Sequence, residues 1–162
     1  PGETTAEMQL RRGAILDKLK IEHQRTLRQK IPLTVIMADI DRFKLINDTF
    51  GHQIGDTVLR NVAQTMTNTV RIYDAVGRYG GEEFLIVAPS CDNSTAKTLA
   101  GRLHAQVRNH TLAELDSQVT VTCSFGVVTT FGEDLNFEAL IRSADTALYR
   151  AKDNGRDRVE MA

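Results

Sequence analysis

The 162-residue sequence contains no tryptophan, three prolines and two cysteines. Cys91 and Cys123 are too few for a disulfide framework or a zinc site of their own, so they read as thiols of a reducing cytosol, with Cys123 a small core residue. None of the four histidines has metal-ligand spacing. No apolar run approaches the ~20 residues that a helix needs to cross a bilayer, and no secretory leader is visible. An excess of one charge is missing too. Twenty basic and 21 acidic side chains leave a net charge of −1, which argues against wrapping a nucleic-acid polymer. What remains is an ordinary globular composition, 41% hydrophobic and 25% charged, in a length that suits one domain. The chain opens Pro1-Gly2-Glu3 without an initiating Met and reads as a piece of something longer.

Residues 1–31 are charged and helix-prone, with Leu16, Leu19 and Leu27 at helical spacings. They read as a helical lead-in from an upstream module, ahead of a domain spanning 32–162. Pro32 ends the pattern because it lacks an amide donor. Leu33 to Ile40 is almost wholly apolar, which suits a strand buried on both faces. Arg42 to Phe50 reads as a helix stopped by Gly51, and Asp56 can N-cap a second helix carrying Val58, Leu59, Val62, Met66 and Val70. Strands follow at Ala75–Tyr79 and Phe84–Ala88, joined by Gly80-Gly81-Glu82-Glu83, a hairpin signal. Ser94 can cap a helix with Ala96, Leu99, Leu103 and Val107. Val119 to Thr130 alternates, with Val119, Val121, Cys123, Phe125 and Val127 on one face, as in a strand that meets helices on one side only. A last helix shows Phe137, Leu140, Ile141, Ala144 and Leu148, ends near Gly155 and leads into a short strand. The order β-α-α-β-β-α-β plus an extra α-β predicts an α+β fold of the split βαβ, ferredoxin-like type, with helices on one face of a central antiparallel sheet.

Asp39 and Asp41 fall where the first strand gives way to a helix. In a split βαβ sheet the adjacent hairpin tip, with Glu82 and Glu83, comes beside that strand end. Converging hard oxygens suit Mg²⁺ and phosphate-bearing substrates. The plainer alternative is that Asp39 caps the helix and the glutamates are solvated turn residues. Gly80 and Gly81, lacking Cβ, let a phosphate approach closely. Lys44, Lys152 and Arg156 can neutralise phosphates, or be surface charges, Lys152 at a helix C-terminus. Asn47, His52 and Asp56 flank a helix junction where an amide and a carboxylate can read a purine edge, unless Asp56 is only an N-cap.

Gly80-Gly81-Glu82-Glu83-Phe84 (GGEEF) resembles the signature of GGDEF-domain diguanylate cyclases. Asp39 to Leu59, Ser124-Phe125-Gly126-Val127 and Ala144 to Val159 resemble that family's other blocks in the same order, so the likeness runs from about Pro32 to the end. The resemblance implies a palm-like fold, its sheet surrounded by helices, and condensation of two GTP into cyclic di-GMP with release of two pyrophosphates. It implies two Mg²⁺, with Mn²⁺ able to substitute, on Asp39, the Ile40 carbonyl, Glu82 and Glu83. Glu82 would help deprotonate the ribose 3′-OH. Lys44, Lys152 and Arg156 would stabilise phosphate charge, beside Gly80 and Gly81. Asn47 and Asp56, with His52 nearby, would bind the guanosine. Each site takes one GTP, so two domains must face each other as a homodimer. An upstream sensory or dimerising module and a cytoplasmic domain, in a full-length protein that can be membrane-attached, complete the expectation.

Arg71-Ile72-Tyr73-Asp74 (RIYD) lies five residues before Gly80 and resembles the family's RxxD product-inhibition site, which Arg102 would complete. An arginine can donate to guanine O6 and N7 while a carboxylate accepts from N1–H and N2–H; a helix-end salt pair is the plainer alternative. The likeness fails at Glu3 to Arg11, where the family usually carries a DxLTGLxNR-type segment and only Arg11-Arg12 is recognisable. A degenerate domain that merely binds GTP or cyclic di-GMP would usually have lost the signature acids, which this chain keeps. A cyclase of another base preference is disfavoured by Asp56.

Overall fold

A computed structural model describes residues 5–113, 115, 119–133 and 136–162, with side chains from residue 11 onward. The elements follow the order α1 (Thr5–Gln29), β1 (Leu33–Ile40), α2 (Phe43–Phe50), α3 (His52–Thr69), β2 (Ala75–Arg78), β3 (Glu83–Pro89), α4 (Asn93–Asn109), β4 (Cys123–Thr130), α5 (Phe137–Asp153) and β5 (Val159–Met161). The five strands form one sheet in the order β2-β3-β1-β4-β5. Neighbours are antiparallel except β4 and β5, which α5 connects in parallel. The fold is the α+β, split βαβ arrangement with an added α-β.

All eight residues of β1 are buried, because both of its faces are covered. Period-two alternation divides them. Ile36, Ala38 and Ile40 pack with Val58, Leu59, Val62 and Met66 of α3 and with Leu99 and Leu103 of α4. Leu33, Val35 and Met37 pack with Ile15 and Leu19 of α1 and with Leu140, Ala144 and Leu148 of α5. Helices therefore cover both faces of the sheet, which corrects the one-sided arrangement expected from β4. The face of β4 that α5 covers carries Ser124, Gly126 and Val128, two of them too small or polar to register as hydrophobic. A Cβ on Gly126 would overlap the Ala144 carbonyl and the Leu148 amide. The glycine lets the α5 backbone rest directly on the strand.

Several expected boundaries shift. Regular pairing in β4 begins at Cys123 rather than Val119. Asp92, not Ser94, caps α4, its carboxylate accepting from the Thr95 amide. The helix expected to start at Asp56 starts at His52, after Gly51 at φ 90°, and Asp56 lies inside it. In α1, Ile15 and Leu19 are buried, whereas Leu27 is 37% exposed. No described helix is long and apolar enough to cross a membrane.

Candidate active site at the β1 and β3 strand ends

Strand register brings the acids together. Asp39, the penultimate residue of β1, is the direct antiparallel partner of Glu83, the first residue of β3. The Ile40 amide donates to the Glu82 carbonyl at 3.2 Å, and the Glu83 carbonyl accepts from the Tyr79 amide at 2.8 Å and the Gly80 amide at 3.3 Å. Arg78, which the sequence does not single out, grips the turn. Its Nε donates to the Gly80 and Gly81 carbonyls at 3.2 and 3.1 Å, and its Nη2 to Gly81 at 2.6 Å.

Gly80 and Gly81 are not among the left-handed glycines. They supply room instead. A Cβ on Gly80 would come within 2.7 Å of Glu83 Oε2, while one on Gly81 would meet nothing within 4 Å. The backbone at Gly81 is open to an approaching ligand.

Period two puts Asp39 on the same face as Met37, the α5 face, so a cation from that helix reaches it. Lys152 Nζ donates to Asp39 Oδ2 at 2.9 Å. Asp39 is only 6% exposed, and burial is the main reason its carboxyl rises from 3.8 to about 6; Lys152 opposes the rise, and Glu82 and Glu83 add to it. Burial also raises Glu83, with Lys152 and Arg12 lowering it and Asp145 and Glu82 raising it. Arg12 stacks its guanidinium 4.1 Å from the centre of the Tyr79 ring, which ties α1 to the signature turn. Nothing in the sequence pattern announces such a long-range contact.

The donors on offer, carboxylates and the Ile40 carbonyl, are hard oxygens suited to Mg²⁺. Among the described residues no three acidic, histidine or cysteine side chains stand close enough to hold a metal ion by themselves. The cluster meets Lys152 instead: an ammonium lies on its most buried carboxylate.

Asp41 does not join the cluster. Its carboxylate accepts from Thr122 Oγ1 (2.8 Å), Ser124 Oγ (2.6 Å) and the Asp157 amide (3.0 Å). It is a structural anchor, which separates the two aspartates that the sequence places side by side.

Lys44 is exposed near the start of α2, and His52 is exposed as the first residue of α3. Asn47 rests against Gly55, whose Cβ would overlap the Asn47 amide. That close approach of α2 to α3 puts Asn47 beside the turn of helix that carries Asp56. Asp56 lines one part of a cavity of about 770 Å³ between α1, α3 and β2, floored by Ile15, Leu59, Val76 and Phe84. Arg156 is half-buried in the turn after α5, at φ 64°.

Arg71 and Asp74 close on each other. The Asp74 carboxylate accepts from the Arg71 amide (2.9 Å), from Nε (3.1 Å) and from Nη2 (2.9 Å), and Nη2 also reaches the Pro89 carbonyl at 2.9 Å. The Asp74 side chain is fully buried and that of Arg71 is 37% exposed. This hydrogen bond with Asp74 is the main reason Arg71 holds its proton more tightly than usual. Arg102 donates to the Thr69 carbonyl, at the end of α3 and two residues before Arg71, at 3.0 Å.

Residues 10–158 match the family described as "Diguanylate cyclase, GGDEF domain". The diguanylate cyclase DgcZ of Escherichia coli (strain K12) is 38% identical over 144 residues, 89% of this chain and 48% of that protein. The chain spans less than half the length of such curated relatives. Among solved structures, the active GGEEF domain of a diguanylate cyclase from Vibrio cholerae superposes with a TM-score of 0.86 at 34% identity, over 93% of this chain and 95% of that one. The GGDEF domain of DgcB from Caulobacter crescentus, in complex with c-di-GMP, gives 0.85 at 30% identity, over 93% and 89%. With its palm-like sheet, its paired strand-end acids and this breadth of match, the chain belongs to the GGDEF-domain family of diguanylate cyclases.

Proposed function

We propose that the chain is a catalytic diguanylate cyclase domain, which joins two GTP into cyclic di-GMP and releases two pyrophosphates. The observation that carries this reading is the pairing of Asp39 with Glu83 at the strand ends, beside an open Gly81 backbone and with the Lys152 ammonium on Asp39. Buried carboxylates that draw in a cation suit divalent metal, so Asp39, the Ile40 carbonyl, Glu82 and Glu83 would hold two Mg²⁺. Bound there, Mg²⁺ would supply charge neutralisation at the reacting phosphate and on the departing pyrophosphate.

The chain's own residues do the rest. Lys152, released from Asp39, turns with Arg156 and Lys44 to the phosphate oxygens. Gly81 leaves space for those oxygens, Gly80 makes room for the Glu83 carboxylate beside them, and Arg78 keeps the turn in shape. Asn47 and Asp56 offer an amide and a carboxylate to the guanine edge, with His52 nearby. Glu82 is the base candidate for the 3′-OH proton. One such site holds one nucleotide, so catalysis requires two copies facing each other, each offering its 3′-OH to the other's phosphate. The reading places the domain in the cytoplasm, where GTP is, under an upstream input module.

The Arg71, Asp74 and Arg102 cluster is proposed as a product site that slows the enzyme. Asp74 fixes Arg71 from behind, which leaves the Nη1 hydrogens for guanine O6 and N7. Incubation with GTP and Mg²⁺, followed by chromatography, tests the main proposal. Cyclic di-GMP and pyrophosphate in a 1:2 ratio support it, whereas recovered GTP at micromolar enzyme overturns it.

A further inference from the structure

The turn that follows α5 is conformationally expensive. Gly155, Arg156 and Asp157 adopt φ values of 114°, 64° and 49° in succession. Two consecutive left-handed residues other than glycine persist only where their surroundings hold them. Here the surroundings are specific. The Arg156 amide donates to the Ala151 carbonyl at 2.9 Å, and the Asp157 amide donates to Asp41 Oδ2 at 3.0 Å. The Asp157 carboxylate is taken by two side chains of a different helix: His104 Nε2 at 2.7 Å and the guanidinium of Arg108, both on α4.

Each contact has a clear chemical role. Burial and the neighbouring Arg108 lower the pKa of the His104 imidazole, with Asp41 opposing them; the ring meets the Asp157 carboxylate through Nε2, and Arg108 brings a cation to the same group. The ring is set edge-on to Phe125, 6.3 Å between centroids, which fixes the direction of that nitrogen. Asp41 is itself held by Thr122 and Ser124 of the β4 side of the sheet. Ser124 is the cross-strand partner of Asp39, and together these residues hold the turn that follows Lys152 and carries Arg156.

We propose that His104 and Arg108, acting through Asp157, are positioning residues that lock the 155–157 turn in the one shape that offers Arg156 and Lys152 to a nucleotide's phosphates. The inference rests on the phosphate-binding reading of those two cations. Without the α4 clamp the turn relaxes towards ordinary backbone conformations, and the two cations lose their common aim. Nucleotide binding then falls before the fold does.

The test uses 3′-deoxy-GTP with Mg²⁺, which lacks the attacking hydroxyl and so reports binding alone. Calorimetry would compare wild type with Arg156→Ala, Arg108→Ala, His104→Ala and the Arg108→Ala/Arg156→Ala pair. Arg108→Ala and His104→Ala should each weaken binding roughly three- to tenfold, and the Arg108→Ala/Arg156→Ala pair should weaken it by less than the product of the two single effects. Hydrogen exchange at the Asp157 amide should quicken in Arg108→Ala while the β1 amides stay protected. Asp157→Gly separates the two causes, since glycine accepts the backbone shape but offers no carboxylate. Weaker binding in Asp157→Gly than in Asp157→Asn supports the clamp. If Arg156→Ala binds like wild type, the phosphate reading fails and this inference with it. If Arg156→Ala weakens binding while Arg108→Ala and Asp157→Gly do not, the phosphate reading stands and the clamp alone is refuted.

Discussion

Replacing Asp39 by asparagine should make the metal-free domain more stable while destroying its activity. The side chain is buried, and its carboxyl is raised from 3.8 to about 6 even with Lys152 attached. At pH 7 the native state must therefore keep an ion that it would rather hold as the neutral acid. A rise of about two pH units corresponds to an upper limit of about 3 kcal/mol. Residual solvent screening and structure in the unfolded chain reduce that to about 1–2 kcal/mol. Asparagine removes the charge at nearly constant shape. For a chain of this size the melting temperature should rise by roughly 3–6 °C in chelator. The pH dependence has a definite sign. An acid whose native pKa is raised contributes its stability below the unfolded pKa and loses it as pH climbs through the native one. The gap between wild type and Asp39→Asn should be small below about pH 4, open between about pH 4 and 6, and stay level above. Calorimetric melts across pH 3.5–8, with turnover measured at pH 8, settle the matter. A variant that melts at or below wild type, or that keeps half its turnover, refutes the account of the site.

The parts of this fold that were legible in the sequence share one property: their burial pattern is written in hydrophobicity. β1 shows as an apolar run because α3 and α4 cover one face and α1 and α5 the other. β4 is buried on both faces too but showed only one, because Gly126 and Ser124 are where α5 and Asp41 come close. Close approach demands small residues, and small residues are invisible to a hydrophobic count. Helix starts misled for a related reason. Asp92 and Ser94 are both good caps two positions apart, and only the Thr95 amide decides between them. For α3, the backbone of Gly51 at φ 90° makes the break without any side-chain cap, which left Asp56 inside the helix. In the site, the meeting of Asp39 with Glu83 was expected from the split βαβ topology and is seen in the register. Residue types and spacing alone did not distinguish a metal site from a helix cap and turn acids; the resemblance of GGEEF to the family signature did. Asp41 shares the strand end with Asp39 in the sequence, and its engagement with Thr122 and Ser124 was not readable there. Arg12 on Tyr79 and Arg78 on the turn carbonyls were not readable, since a stacked cation and a backbone clamp impose no local spacing.

Three other outcomes follow from the same geometry. If two copies must meet, specific activity should climb with protein concentration while light scattering still reports mostly monomer, and a coiled coil fused ahead of Pro1 should raise it further; rates strictly proportional to enzyme would mean that one chain suffices. Arg71→Ala should lose charge-assisted contacts worth about 1.5–3 kcal/mol, raising the cyclic di-GMP concentration for half-inhibition by one to two decades. Progress curves that bend identically in wild type and Arg71→Ala would reduce the pair with Asp74 to a structural salt bridge. The signature glycines should separate by what stands in front of them. A methyl on Gly80 meets Glu83 Oε2, the far end of a flexible side chain, at 2.7 Å. The carboxylate can swing aside at little cost, so Gly80→Ala should fold normally and melt within about 2 °C of wild type. It should nevertheless lose turnover, because the displaced group is the one paired with Asp39. A methyl on Gly81 meets no protein atom within 4 Å, so Gly81→Ala leaves Glu83 in place and obstructs only what enters from solvent. Its defect should appear mainly as a higher KM for GTP, with that of Gly80→Ala mainly in kcat. Identical defects in both variants, or a large melting change in either, would mean that the glycines serve the turn's backbone and not the space around Glu83 and the nucleotide.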